Sequence, residues 1–178
     1  MLADKYLPEF NFSEHHERAV NCKIEKVWPI VSNLDFSGSW IIRSLFALRG
    51  MPAHMMTMKG LDDARFTCLE KTESFEVAIG LIGQFWRSSG NLKKFKPNEF
   101  IGFNESGYCK AVWCFNLIET NATTTMVQTN TRIYCADEKS FKKFSRYWLF
   151  VRPFSGLIRS EILRGIKNKA EYSAVEFS

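Results

Sequence analysis

A chain of 178 residues, 46% hydrophobic and 24% charged, is long enough for one domain with a sizeable core. Its longest apolar runs, such as residues 77–83, fall far short of the ~20 residues that a bilayer-spanning helix needs. The net charge of +5 is placed unevenly: residues 137–172 hold nine Lys/Arg against four Asp/Glu, and the rest of the chain holds fifteen of each.

Residues 1–14 carry Asp4, Lys5, Glu9 and Glu14 without an apolar centre, so no secretory leader is expected. Five cysteines (Cys22, Cys68, Cys109, Cys114, Cys135) lack a framework spacing, which points to reduced thiols and a cytoplasmic protein. In chain order, residues 1–12 read as an irregular arm that Tyr6, Leu7, Phe10 and Phe12 can pin down. Residues 15–22 suit a first strand. A helix then opens near Glu25, because Pro29 is tolerable only close to a helix start, and buries Val27, Ile30, Val31 and Leu34. Residues 35–39 are turn chemistry, and Ser39 can cap a second short helix over 40–49 that Gly50 and Pro52 stop. Residues 51–63 show no period and hold four of the six Met, as an adaptable loop over a cavity mouth or as ordinary gap-filling.

From residue 65 the period changes to that of strands. Residues 65–72 form one; Phe75, Val77, Ile79 and Leu81 alternate with Glu76, Ala78 and Gly80 in the next. Gly80 and Gly83 mark bending or close backbone approach. After a turn at 88–91, residues 92–95 return as a short strand, and Pro97 opens one helical turn. Ala111, Trp113, Phe115 and Leu117 face one way in a long strand, and residues 125–133 alternate in its hairpin partner. The final segment, 137–172, is helical in period, with apolar residues recurring at Phe141, Phe144, Trp148 and Val151 and again at Phe154, Leu157, Ile158, Ile162 and Ile166. Lys142, Lys143, Arg146, Arg159, Arg164 and Lys167 read as its wet face. A straight helix of that length would span about 54 Å, against a domain diameter of roughly 40 Å. Pro153 is therefore expected to bend or divide it, with one segment ending near Phe150 or Val151, or to kink a single helix.

The order of elements is an α+β layout, a curved antiparallel sheet wrapped around a long C-terminal helix. Two features carry a family resemblance: the strand-into-helix passage Val20-Asn21-Cys22-Lys23-Ile24-Glu25-Lys26-Val27-Trp28, and the terminal helix after a hairpin ending in Thr131-Arg132-Ile133. In these the chain resembles the START-like, or birch-pollen-allergen-like, helix-grip superfamily, the polyketide cyclase/dehydrase and lipid transport group (SRPBCC). The resemblance spans residues 13–172 as a single domain, leaving 1–12 as an arm and 173–178 as a tail. The small-residue/Pro pair usual before the family's first helix is replaced by Cys22-Lys23. The resemblance implies a hydrophobic cavity between sheet and helix, and no residue-specific chemistry.

No catalytic signature names a reaction. His15 and His16 are adjacent and point to opposite faces of a strand, and no Cys-x-x-Cys pair exists, so no metal or other cofactor is expected. Ser155 lies in Phe-Ser-Gly within a helix, without the full nucleophile elbow. Single acid–base groups leave no pattern; Tyr108, Arg132, Tyr134 and Glu119 are the candidates, with their faces unassigned. The leading expectation is binding of a hydrophobic, lipid-like or aromatic small molecule, with no nucleic acid partner. Phe75, Val77, Ile79, Leu81, Trp113, Phe115, Phe144, Trp148, Val151 and Ile158 are the expected cavity lining. The alternatives are a cyclase- or dehydratase-like enzyme using the same cavity, and a docking module that sets the basic C-terminal helix on a membrane or protein.

Overall fold

The computed structural model describes residues 1–33, 35, 39, 43, 44, 65–73 and 75–175, with side chains through 172. The elements are α1 (Leu2–Tyr6), β1 (Phe12–Val20), α2 (Ile24–Ser32), β2 (Thr67–Lys71), β3 (Glu76–Gly83), α3 (Pro97–Phe100), β4 (Cys109–Asn121), β5 (Thr124–Cys135) and α4 (Glu138–Val175). The strands form one antiparallel sheet in the order β1-β5-β4-β3-β2, with α4 across one face. This is a helix-grip α+β architecture. The second short helix expected over 40–49, and the Met-rich stretch 51–63, lie almost wholly outside the described residues; Arg43 and Ser44 are helical.

The alternation in β3 and β4 sorts side chains as the strand period requires. Val77, Ile79, Phe115 and Leu117 turn inward, towards α4, and are buried with Val27 and Val31 of α2 and Ile162, Leu163 and Ile166 of α4. Ala78, Ile82, Val112 and Cys114 turn outward, yet they are buried too. Their cover is the N-terminal segment. The expected irregular arm is a short helix whose Leu2, Ala3 and Tyr6, with Leu7 after it, pack on the outer face beside Phe100 of α3. Arg132 fastens it there: Nη2 donates to Asp4 Oδ1 at 2.7 Å and Nη1 to the Leu7 carbonyl at 3.2 Å.

Other boundaries shift for local reasons. β1 begins at Phe12 because Phe12 pairs with Ile133 of β5 and stacks on Phe141. Residues 92–95 make no strand; Lys93 donates one backbone bond to Ile82, and the segment is otherwise irregular. Gly80 does mark close approach, since a Cβ there would sit 2.9 Å from Leu69 Cδ2.

The last helix is not divided at Pro153; of the two expected arrangements, two segments or one helix carrying the proline, the structure has the second. α4 is one helix of 38 residues with Pro153 inside it. Its length is accommodated by packing at both ends rather than by a break. The first turns set Phe144 against Phe12 and Phe85, while the last turns set Ile162, Ile166 and Ala170 against the α2 cluster.

Candidate functional site

α4 makes its close backbone approaches to β1, β5 and α2 rather than to β3 and β4. The inward faces of the two central strands therefore lie beneath side chains of the helix, not beneath its backbone. One packed cluster, built on Val77, Ile79, Phe115 and Ile162, closes one end of this space. A second, built on Cys109, Ile133, Cys135 and Phe144, closes the other.

Between their cores the inward residues are only half-buried: Leu81, Val151 and Ser155, with Trp113 and Ile158 packed against the first cluster and Ala111 and Trp148 against the second. The outward-facing neighbours Ile82, Val112 and Cys114 are fully covered. Middle strands that are drier on their outer face than towards their own helix leave solvent-reached space on the helix side. This partly covered region between α4 and the inward faces of β3 and β4 is called the hollow.

The ten residues expected to line a cavity divide accordingly. Val77, Ile79 and Phe115 are fully buried packing in the first cluster, and Phe144 is packing in the second. Phe75 is half-buried at the first cluster's margin, its ring 5.8 Å from Trp28, with a left-handed backbone (φ 60) in the turn before β3. Leu81, Trp113, Trp148, Val151 and Ile158 are brought together around the hollow by strand and helix periodicity.

One side of the hollow is polar, an arrangement that no sequence expectation brought together. β1 turns Glu14 and His16 inward, where α4 presents Ser155 and Arg159 and β5 presents Thr131. Ser155 Oγ donates to Glu14 Oε2 at 2.9 Å, and His16 Nε2 lies 2.9 Å from Glu14 Oε1. Arg159 donates from Nε and Nη2 to Thr131 Oγ1 at 3.0 and 2.7 Å, and from Nη1 to Ser155 Oγ at 2.6 Å and its carbonyl at 3.2 Å. Its guanidinium carbon lies 5.5 Å from the Trp113 ring centre, and Trp113 Nε1 donates to Thr129 Oγ1 at 2.7 Å.

Arg159 is thus not on the wet face of the helix. Its side chain is 13% exposed and that of Glu14 9%, with 4.0 Å between Nη1 and Oε2. Burial pulls the Arg159 guanidinium below its ordinary range, and the Glu14 charge acts against that shift. Gly156 makes room for the pair, since a Cβ there would come 3.0 Å from Glu14 Oε1. Arg18, the next inward residue along β1, buries its Nε without a hydrogen-bond partner in the structure. The inward polar groups of β1 and α4 therefore carry two guanidinium groups against one carboxylate.

A signal for this cluster existed in the strand register. Glu14, His16 and Arg18 alternate with Ser13, His15 and Glu17, so one polar set had to face the helix. The acid–base candidates lie elsewhere. Arg132 pins the N-terminal helix on the outer face, Tyr108 and Tyr134 pack in the outer cluster, and Glu119 is exposed.

No protein-family model matches the sequence, and neither does any curated protein. Among solved structures, a point mutant of norcoclaurine synthase from Thalictrum flavum, in complex with a transition-state analogue, aligns over 92% of this chain and 96% of its own, with 9% identity and a TM-score of 0.43. The Thalictrum flavum enzyme in complex with dopamine and hydroxybenzaldehyde aligns over 87% and 86%, with 10% identity and a TM-score of 0.37.

Proposed function

We propose that this protein binds an apolar small molecule in the hollow between α4 and the inward faces of β3 and β4, with an acceptor-bearing end turned towards Arg159. The observation that carries this reading is the half-burial of Leu81, Ala111, Trp113, Trp148, Val151 and Ile158 between the cores of two packed clusters. An apolar ligand removes that surface from water at about 25 cal/mol per Å². Four of the five N–H bonds of Arg159 are used by Thr131 and Ser155, so its polar reach extends to one further acceptor such as a carbonyl or carboxylate oxygen. Trp113, alongside the guanidinium, supplies a flat wall for an aliphatic or aromatic body. The direct test is native mass spectrometry of the purified protein. A retained small molecule, released on denaturation and extracted into organic solvent, supports binding; a bare mass that no apolar compound shifts opposes it.

A second reading, a cyclase- or dehydratase-like reaction in the same hollow, is favoured by one observation. Glu14 and His16 form a hydrogen-bonded carboxylate–imidazole pair on the hollow's β1 side, and such a pair can pass a proton to and from a bound substrate. Conversion of a bound compound by the wild type, lost in Glu14→Gln with binding retained, would establish it. Binding without conversion leaves the carrier reading.

A further inference from the structure

We propose that the solvent side of α4 between Lys139 and Leu157 is a docking surface for an anionic lipid membrane. Leu149, Phe150, Phe154 and Leu157 are 77%, 76%, 48% and 44% exposed. With Pro153 they occupy positions i, i+1, i+4, i+5 and i+8, one continuous side of the helix. Among the described residues most large apolar side chains are covered, some on both faces of the sheet, so a contiguous exposed group of this size is out of keeping with the rest.

The charge beside this stripe decides what it fits. Residues 139–157 hold five Lys/Arg and no Asp/Glu. Lys139, Lys142, Lys143 and Arg146 are exposed and lie on the same side of the helix as the apolar stripe, one to two turns N-terminal to it. Among the described residues, only Lys142 of these is held in an ion pair, with Glu138 at 2.6 Å. Lys143 leans over Trp86, its Nζ 5.8 Å from the ring centre, which brings the exposed Arg87 loop to the same flank.

A basic stretch of about two turns followed by exposed Leu and Phe is the pattern of an interfacial helix, whose cations meet anionic headgroups while the rings enter the acyl boundary. A protein partner or a second copy of this chain would need carboxylates to match the cations, and between Lys139 and Leu157 α4 itself offers none. Buried residues of α4 point the other way, into the sheet, so docking leaves the fold and the hollow intact. The inference is independent of whether the hollow is filled.

The test is flotation and sedimentation of the full chain with vesicles, either pure phosphatidylcholine or about three parts phosphatidylcholine to one part phosphatidylserine. Binding is expected to the anionic vesicles and to fall steeply with added salt. The triple variant Leu149→Ser, Phe150→Ser, Phe154→Ser should weaken it at least about tenfold, as should Lys142→Glu with Arg146→Glu. All these positions are exposed, so circular dichroism and thermal midpoint should match the wild type. No association with anionic vesicles, association that both variants retain, or a stable dimer in solution that the serine variant disperses would each overturn the proposal.

Discussion

Ser155 Oγ donates to Glu14 Oε2 across 2.9 Å, joining the middle of α4 to an edge strand 141 residues earlier. The bond stands two residues after Pro153, where the helix lacks one backbone donor, and it fixes how the helix lies on the sheet. Breaking this link from the carboxylate side should therefore cost more than one hydrogen bond. Glu14→Ala leaves Arg159 buried with no counter-charge and should destabilise by about 3 kcal/mol. Ser155→Ala should cost about 1 kcal/mol. Adding Arg159→Met to Glu14→Ala should recover most of the larger loss. Urea unfolding of the single and double variants measures all three.

Two glycines of α4 offer a paired comparison. A Cβ at Gly165 meets nothing within 4 Å, so Gly165→Ala should stabilise by about 1 kcal/mol from helix propensity alone. The same change at Gly156 pushes a Cβ to 3.0 Å from Glu14 Oε1, which His16 and Ser155 hold in place. Gly156→Ala should gain less than Gly165→Ala, or lose stability. Thermal midpoints of the two variants, side by side, decide whether the Glu14 cluster is as rigid as described.

The start of α4 predicts an acid-dependent stability. Asp137 accepts from the Ser140 amide at 2.7 Å, from Ser106 Oγ at 2.8 Å and from the Gly107 amide. These bonds, the backbone ones first, hold its carboxyl well below the usual carboxylate range. Because the folded value is depressed, the stabilisation is fully present above the unfolded value near about 4 and is lost as pH falls through the folded one. Asp137→Asn should weaken the cap by about 1 kcal/mol at neutral pH and flatten the fall in stability below about pH 4. Thermal midpoints across that range check both.

The alternation of Val77, Ile79 and Leu81 with Ala78, Gly80 and Ile82 was enough to place β3, and the hairpin of β4 and β5 was equally plain. Which side faces the helix was harder to read, because both sides of the sheet are apolar and covered: Ala78, Val112 and Cys114 lie under α1 and α3. Of the expected lining, Val77, Ile79, Phe115 and Phe144 are fully buried and the others half-buried, a difference that period alone does not carry. Arg159 was hidden by its own helix, where a cation recurs nearly every turn; only the partner residues Glu14 and Thr131, far away in sequence, distinguish it from Arg146 or Arg164. At Pro153 the sequence allows either two segments or one helix short of a hydrogen bond, and packing at both ends of α4 favours the single helix.

The thiols separate by burial. Cys68 is exposed, while Cys22, Cys109, Cys114 and Cys135 are buried, and burial pushes the Cys114 thiol up to about 12. One equivalent of a thiol reagent should react with the native protein quickly. The other four should react only after denaturation, giving five in all without reductant. A total of three would mean a disulfide, and Cys109 and Cys135, with sulfurs 2.9 Å apart, would be the pair.

The hollow is tested most directly by filling it. Ala111 is half-buried near the start of β4 and faces α4, so Ala111→Trp places an indole where the ligand is proposed to lie. Binding of a fluorescent fatty acid to wild type and variant should be titrated, with thermal midpoints measured alongside. Saturable one-to-one binding to the wild type, reduced at least about tenfold in a variant that stays folded, is the predicted result. Equal binding by the two proteins, or none by the wild type, would contradict a ligand site between α4 and the sheet.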